Sequence, residues 1–127
     1  MTASARAMPT EPDPPRPADV EAFLAEMRAM GVEAQGYEIL RIYVRETHRR
    51  LGQLEDAVRA GDADAIDAAA HSMKGSAGTV RAPRLKELLQ QVELEAQEGR
   101  IERARALLDE IVAEQGAVLR QIEDLLP

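Results

Sequence analysis

The chain has 127 residues with a net charge of −7, and 45% of them are apolar, which is enough to fill the core of one domain. This acidic balance argues against nucleic acid as a partner, because affinity for a phosphate backbone rests on clustered Lys and Arg. The absence of cysteine excludes disulfides and thiolate metal sites. No apolar run approaches the roughly 18 residues that span a bilayer, and no signal-peptide pattern follows the first methionine, so we expect a cytoplasmic protein without a membrane partner.

The N-terminal region divides into a tail and a first helix. Residues 1–17 hold five of the seven prolines and few large apolar side chains, which predicts a disordered tail ahead of one helical domain over residues 18–127. Ala18–Met30 is predicted as a short amphipathic helix with Asp19 as its N-cap and Gly31 at its end. Its inward-facing residues are predicted to be Phe23, Leu24 and Met27.

A long second helix is predicted over Tyr37–Ala60, after a break marked by Gly36. Residues that recur along it at helical spacing form its buried stripe. They are Leu40, Tyr43, Val44, Thr47, Leu51, Leu54 and Val58. Ile39 and Ile42 lie off this stripe and either pack against the first helix, which we favour, or form an apolar patch that faces a partner. His48, at the edge of the stripe, is predicted to be structural or solvated.

The most informative stretch is Asp62–Val80, where a helix that advances about 100° per residue sorts the side chains into two faces. Gly61 ends the preceding helix and Asp62 caps this one. The apolar face, which predicts the buried side, consists of Ile66, Ala69, Ala70, Met73, Ala77 and Val80. The opposite face carries Asp64, Asp67, His71, Lys74, Gly75 and Gly78.

The exposed face of this helix indicates chemistry at His71. A glycine inside a helix costs about 1 kcal/mol relative to alanine, so Gly75 and Gly78 lower helix stability and leave clearance beside the histidine. Lys74 is a surface neighbour of His71, and its mobile ammonium could follow an anion attached to the ring. Asp67, one turn before His71, could hydrogen-bond to the ring or bias it through its charge. The competing reading is a solvated histidine on an ordinary amphipathic helix, and the lysine and the two glycines favour function.

Two further helices complete the domain. One is predicted over residues 83–97, with proline in its first turn and Gly99 after its end. Its buried face is predicted to be Leu85, Leu88, Leu89 and Val92. The last helix is predicted over Ile101–Leu126. Arg81 and Arg84 would form at most a small cationic patch near the end of the central helix. Four long helices joined by short turns predict an all-α, antiparallel up-down-up-down four-helix bundle, with the first short helix as a cap.

The central stretch resembles the signature of histidine-containing phosphotransfer (HPt) domains. The segment A-H-S-M-K-G-S-A, from Ala70 to Ala77, is similar to the family pattern of alanine, histidine, two residues, lysine and glycine, often followed by serine. The resemblance continues at Ala82, Leu85, Val92, Glu93 and Gly99. It extends more loosely over Tyr37 to Leu126. It departs at Arg81, where family members commonly have glycine, and this leaves the shape of the turn after the central helix open.

The resemblance implies a phosphorelay intermediate and not a turnover enzyme. Nε2 of His71 would take the phosphoryl group from a receiver-domain aspartate of a hybrid sensor kinase and pass it to that of a response regulator. Lys74 would neutralise phosphoryl charge, while Gly75 and, more weakly, Gly78 would let the partner approach. We expect a monomer. We also expect no cofactor or metal of its own, because the receiver domain would bind the magnesium. The chain has neither a P-loop nor a Gly-rich kinase loop, so phosphorylation from ATP is not expected.

Two other classes of function stay open. A helical adaptor would bind receiver or kinase domains without phosphotransfer. Arg81 in place of glycine would suit a bundle that has lost phosphotransfer, whereas His71, Lys74 and Gly75 argue against this class. The other class is a bundle that binds a metal or a cofactor. The two histidines lie 23 residues apart, on different predicted helices, and no Glu-x-x-His pair occurs, so this class is the weaker one.

Overall fold

The computed structural model describes residues 16–127, and every regular element in that range is an α-helix. In chain order the helices are α1 (Val20–Ala29), α2 (Glu33–Ala60), α3 (Ala63–Thr79), α4 (Pro83–Gln97), α5 (Ile101–Ala106) and α6 (Leu108–Leu125). The tail predicted over residues 1–17 lies outside the described residues, apart from its last two positions. In the described part, no helix combines the length and the apolar character that crossing a membrane would need.

The helices pack as a bundle in which α3 contacts both α2 and α4. In addition, α4 contacts α5 and α6, and α1 packs against α2. The core is aliphatic, as expected for a chain with few aromatic residues. Its largest fully buried side chains include Leu40, Leu54, Ile66, Leu85, Leu89, Ile111 and Ile122. The all-α helical bundle is therefore confirmed, while the alternating up-and-down direction of its helices stays a prediction.

The start of α1 is tied to the opposite end of the chain and to the turn between α3 and α4. Asp19 caps α1 as predicted, because its side chain accepts a hydrogen bond from the Ala22 N–H at 3.2 Å. The N–H of Ala18, which is fully buried, donates to Gln121 Oε1 of α6 at 3.0 Å. The Asp19 N–H donates to the Arg81 carbonyl at 2.8 Å. These bonds hold α1 over one end of the bundle.

Gly36 does not break the chain, and this prediction is wrong. The helix α2 begins at Glu33, and Gly36 lies buried near its start. A Cβ atom at Gly36 would come within 3.0 Å of Met27 Cγ on α1. The glycine therefore lets α1 and α2 approach closely, and this packing offsets the cost of about 1 kcal/mol for a glycine in a helix.

The helix predicted over Ile101–Leu126 is divided at Leu107. The Leu107 N–H donates to the Ala104 carbonyl, three residues before it, at 3.1 Å. In a regular α-helix the acceptor is the fourth preceding residue, so the turn here is tighter. The single tightened turn separates α5 from α6. It leaves the spacing of apolar residues almost unchanged, so the hydrophobic pattern did not reveal it.

The turn between α3 and α4 has the conformation of a glycine turn although Arg81 occupies it. The φ angle of Arg81 is 61°, in the left-handed region, which costs a non-glycine residue about 1–2 kcal/mol. The Ala82 N–H closes the turn on the Ala77 carbonyl at 2.9 Å. The guanidinium of Arg81 pairs with both carboxylate oxygens of Glu26 on α1, and this hydrogen-bonded pair lowers the pKa of Glu26. The question left open by the sequence is thus answered, because the turn keeps the shape that glycine would favour.

Candidate functional site

His71 is presented on the exposed side of α3. The helix starts as predicted, because the Asp62 side chain accepts a hydrogen bond from the Ala65 N–H at 3.1 Å. Gly61 ends α2 in a left-handed conformation. The apolar face of α3 is buried, with Ile66 fully inaccessible, whereas the His71 side chain is 74% exposed. Helical periodicity therefore turns the imidazole towards solvent from a helix whose other face is packed in the core.

A buried carboxylate lies directly beside the histidine. The Glu93 side chain on α4 is 9% exposed, and its Oε2 lies 3.2 Å from Nδ1 of His71. Its other oxygen, Oε1, lies 2.6 Å from Nζ of Lys74. No well-aligned hydrogen bond from the described residues reaches Oε1, so the lysine contact is an ion pair. One carboxylate thus joins the histidine and the lysine that stand three residues apart on α3.

The contact with Glu93 determines which nitrogen of the His71 ring is free. An ionised carboxylate only accepts hydrogen bonds, so the ring proton lies on Nδ1 when this bond forms. In neutral imidazole the second nitrogen, Nε2, then carries the lone pair. Because the side chain is mostly exposed, Nε2 is the nitrogen left for a molecule that approaches α3.

The ammonium of Lys74 lies close enough to the His71 ring to attract an anion attached to the ring. Its side chain is 23% exposed, so the ammonium is partly shielded from water while it pairs with Glu93. The flexible four-carbon stem of lysine lets such an ammonium turn towards a second anion nearby. A phosphoryl group on Nε2 would be such an anion.

The two glycines on the exposed face of α3 have different surroundings. A Cβ atom at Gly75 would meet nothing within 4 Å. A Cβ atom at Gly78 would touch Lys86 of α4 at Cδ and Nζ, each 3.9 Å away, which is ordinary contact. The fold itself would therefore accept a side chain at either position. Their presence in a helix that would be more stable with alanine supports the predicted role in clearance for a partner.

Three other polar residues of α3 have partners outside the histidine site. Asp67 accepts a hydrogen bond from Nε2 of Gln97 at 3.2 Å, and among the described residues none joins it to His71, so the predicted hydrogen bond to the imidazole ring is wrong. Ser72 and Ser76 each accept a hydrogen bond from Nη1 of Arg50 on α2, at 2.9 Å. This guanidinium crosses from α2 to α3 and was not singled out from the sequence.

The remaining candidates do not gather into a second site. Arg81 pairs with Glu26, and Arg84 pairs with Glu110 at 3.1 Å, so the two arginines do not form a free cationic patch. His48 is exposed on α2, and the structure of residues 16–127 shows no hydrogen bond or ion pair of its ring. Within the same range, no group of three or more His, Asp or Glu side chains is placed to hold a metal ion.

Glu93 is the residue whose role sequence reasoning missed. It appeared only as part of the resemblance, with no function attached. A signal was available in the spacing of the buried face of α4. That face consists of Leu85, Leu88, Leu89, Val92, Glu93 and Ala96. A carboxylate at a position of an apolar stripe needs polar partners, because an unpaired buried charge is costly. Here His71 and Lys74 of α3 are those partners.

Comparisons with known proteins identify the family. The model described as "Hpt domain" matches residues 38–126, most of the chain, so the chain belongs to the Hpt domain family. The crystal structure of histidine-containing phosphotransfer protein B (HptB) from Pseudomonas aeruginosa PAO1 is similar, with a TM-score of 0.78 and 29% sequence identity. The match covers 87% of this chain and 93% of that chain. No curated protein matches the chain.

Family membership confirms the recognition made from the A-H-S-M-K-G-S-A segment. The chain is a histidine phosphotransfer protein of two-component signalling, and the members of its family carry phosphoryl groups instead of turning over a substrate. Hpt domains interact with receiver domains and kinases of two-component systems. The roles of His71, Lys74, Gly75 and Gly78 in this chain stay predictions, to which the structure adds Glu93.

Proposed function

We propose that the chain carries a phosphoryl group on Nε2 of His71, between a receiver-domain aspartate of a hybrid sensor kinase and that of a response regulator. The observation that supports this most is the 3.2 Å contact between Nδ1 of His71 and the buried Glu93 carboxylate. It orients a ring that is otherwise exposed and leaves Nε2 as the nucleophile. A reactive nitrogen at an open surface suits a reaction whose two other participants are both proteins.

The proposed transfer is a displacement at phosphorus. The Nε2 lone pair forms a P–N bond while the P–O bond to the donor aspartate breaks, and the aspartate leaves as a carboxylate. The ring becomes cationic, and Glu93 stabilises that charge through the Nδ1–H bond. In the second step a carboxylate oxygen of the acceptor aspartate attacks phosphorus, and the electrons of the P–N bond return to Nε2. The ring keeps its Nδ1 proton throughout.

Charge neutralisation and access complete the proposed site. Phosphoryl transfer depends on in-line positioning and on neutralising the phosphoryl oxygens more than on a general base. Lys74 would supply one positive charge, and magnesium bound by the receiver would supply more, so the chain needs no cofactor of its own. Gly75, with Gly78, would let the loops of the receiver reach the ring. The protein would act as a cytoplasmic monomer, with an up-down bundle that holds α3 rigid.

The adaptor alternative rested on Arg81 in place of glycine. Arg81 adopts the left-handed conformation that glycine favours, and its ion pair with Glu26 helps to hold it there. The turn after α3 therefore gives no structural sign of drift. No other observation in the described residues favours an adaptor over a phosphocarrier.

The test is phosphotransfer from a pre-phosphorylated receiver domain to the wild type, to His71→Gln and to His48→Gln. We expect an acid-labile, base-stable label on the wild type and on His48→Gln, and no label on His71→Gln. Label on His71→Gln would place the phosphorylated residue elsewhere. Absence of label on all three proteins, across a panel of receivers, would favour an adaptor that binds without phosphotransfer.

A further inference from the structure

Most basic side chains of the described residues have a carboxylate partner within 4.0 Å, as expected in a chain with a net charge of −7. Within residues 16–127 the exceptions are Arg50, Lys86 and Arg120. Two of these three, Arg50 and Lys86, reach over α3, the helix that carries His71. Beside the proposed site, therefore, two positive charges have no carboxylate partner within 4.0 Å among residues 16–127.

Arg50 approaches α3 from α2. Its Nη1 donates to the neutral hydroxyls of Ser72 and Ser76, each at 2.9 Å, so these bonds position the guanidinium without cancelling its charge. The neighbouring carboxylate of Glu46 pairs with Arg49 at 2.6 Å. The pKa of Glu46 is lowered chiefly by Arg49, and Arg50 contributes less. Arg50 thus acts on Glu46 only through space.

Lys86 approaches α3 from α4. Its side chain lies over Gly78, where an added Cβ would be 3.9 Å from both Cδ and Nζ. Because Gly78 has no side chain, the stem of Lys86 can lie across α3 at this position, beside the space proposed for a partner. The ammonium lies two helical turns beyond His71, which is about 10 Å along the axis of α3.

The two cations flank the same half of α3. In a helix with 3.6 residues per turn, Ser72 lies about 100° from His71 in one direction and Lys74 about 60° in the other. Arg50 contacts the first side, and α4 with Lys86 covers the second. The acids on the exposed face, Asp64 and Asp67, precede His71. The half of α3 that follows His71 therefore carries glycines and is bordered by positive charge.

We infer that Arg50 and Lys86 form a docking site for a carboxylate-rich protein surface that covers the half of α3 after His71. The inference rests on the proposed function, in which the partner is a receiver domain that brings an aspartyl phosphate, an anion, to the ring. Two proteins with acidic surfaces repel each other at long range, and local positive charge at the contact offsets this and speeds productive encounter. Arg50 and Lys86 act on docking, and Lys74 acts on the transferred group.

The test compares the second-order rate constant of phosphotransfer from a phosphorylated receiver domain for Arg50→Gln, Lys86→Gln, the double variant and Arg120→Gln. Arg120→Gln is the matched control, because it removes from α6 a charge that is likewise without a carboxylate partner in the described part of the chain. We expect a loss of about fivefold for each single variant and about twentyfold for the double variant at low salt, with no change for the control. Because the Debye length shrinks to about 3 Å at 1 M salt, the variants should approach the wild-type rate there.

Two further measurements separate docking from other effects. Phosphorylation by phosphoramidate, a small donor that needs no docking surface, should be equal in the wild type and in every charge variant, and absent in His71→Gln. Arg50→Lys should restore most of the rate, because it retains the positive charge.

A double variant within twofold of the wild type at low salt would overturn the docking site and leave the phosphocarrier intact. An equal loss with phosphoramidate would also overturn it, because the cations would then act on the chemistry. If no receiver labels the wild type, the proposed function fails and the docking site fails with it.

Discussion

His48 and His71 lie on adjoining helices, and their local sequences are similar. Each side chain is exposed, and each histidine is followed four residues later by a glycine, Gly52 or Gly75. They differ three residues on, where α2 has Leu51 and α3 has Lys74. They differ more in what surrounds the ring. His71 faces the buried carboxylate of Glu93 on α4, whereas within the described residues no hydrogen bond or ion pair holds the ring of His48.

The difference indicates that a neighbouring helix, and not the histidine's own helix, prepares the ring for reaction. An exposed histidine alone samples both tautomers and several rotamers. A carboxylate held rigid in a buried position selects one tautomer and one ring orientation. Three changes test this difference: replacing Glu93, replacing Gly75, and copying the local motif of His71 onto α2.

The largest effect is expected from Glu93→Leu. This variant removes the acceptor of the His71 Nδ1–H bond, and a bond to a charged group contributes about 1.5–3 kcal/mol, so transfer should slow by about tenfold to a hundredfold. The free energy of unfolding should change by less than about 1 kcal/mol, because the cost of burying the carboxylate disappears and the ammonium of Lys74, whose side chain is 23% exposed, can turn to water. Phosphotransfer kinetics, nitrogen NMR of the ring and denaturant unfolding measure these three effects.

Glu93→Gln is the control, because its amide oxygen can still accept from Nδ1. We expect an intermediate rate and a ring tautomer close to that of the wild type. A Glu93→Leu protein that keeps both the wild-type tautomer and the wild-type rate would show that the carboxylate does not prepare the ring.

A smaller effect is expected from Gly75→Ala, which should make the protein more stable and phosphotransfer slower. Alanine should raise the free energy of unfolding by about 1 kcal/mol, since nothing within 4 Å opposes the added Cβ. Transfer from a receiver should slow several-fold, because the methyl group would stand between the partner and the ring. Denaturant unfolding and transfer kinetics on the same protein measure both.

Gly52→Ala provides the matched control beside His48, because an added Cβ there also has open space. It should stabilise the protein by a similar amount and leave transfer unchanged. If Gly75→Ala stabilises the protein without slowing transfer, the glycine does not serve partner clearance.

The smallest effect is expected when the motif is copied. Leu51→Lys creates His-x-x-Lys-Gly at His48, and in a His71→Gln background any label would report on that copy. We expect no label, because among residues 16–127 no carboxylate of a neighbouring helix holds the His48 ring. Leu51 packs partly buried against the core, so the free energy of unfolding should fall by about 1 kcal/mol. Label on His48, found by mass spectrometry under mild conditions, would show that the local motif is sufficient.

Much of the architecture was predictable from the sequence because local signals agreed with each other. Asp19 and Asp62 cap helices as predicted, and apolar residues at helical spacing became the buried faces of α2, α3 and α4. Gly36 shows where the same signals mislead, since a glycine can end a helix or let two helices approach. Only the position of Met27 on the neighbouring helix distinguishes the two cases.

The site was predictable only as far as it lies on one helix. His71, Lys74 and both glycines share a face of α3 because of helical geometry alone, so sequence spacing could reveal them together. Whether Ile39 and Ile42 pack or face outwards depended instead on a neighbouring helix, because both line a groove against α3. The structure packs Ile39 against the core and leaves Ile42 exposed beside a groove of about 120 Å³ between α2 and α3.

Local sequence patterns were enough to predict most helix bounds, the family resemblance and the face that carries His71, because these depend on residues within a few turns of each other. Three features follow from tertiary packing: Glu93 joins His71 to Lys74, Arg50 and Lys86 border α3, and Arg81 adopts a glycine-like turn. These contacts unite residues from different helices. The register and distance between packed helices depend on how all the buried side chains fit together, and no local spacing records that fit.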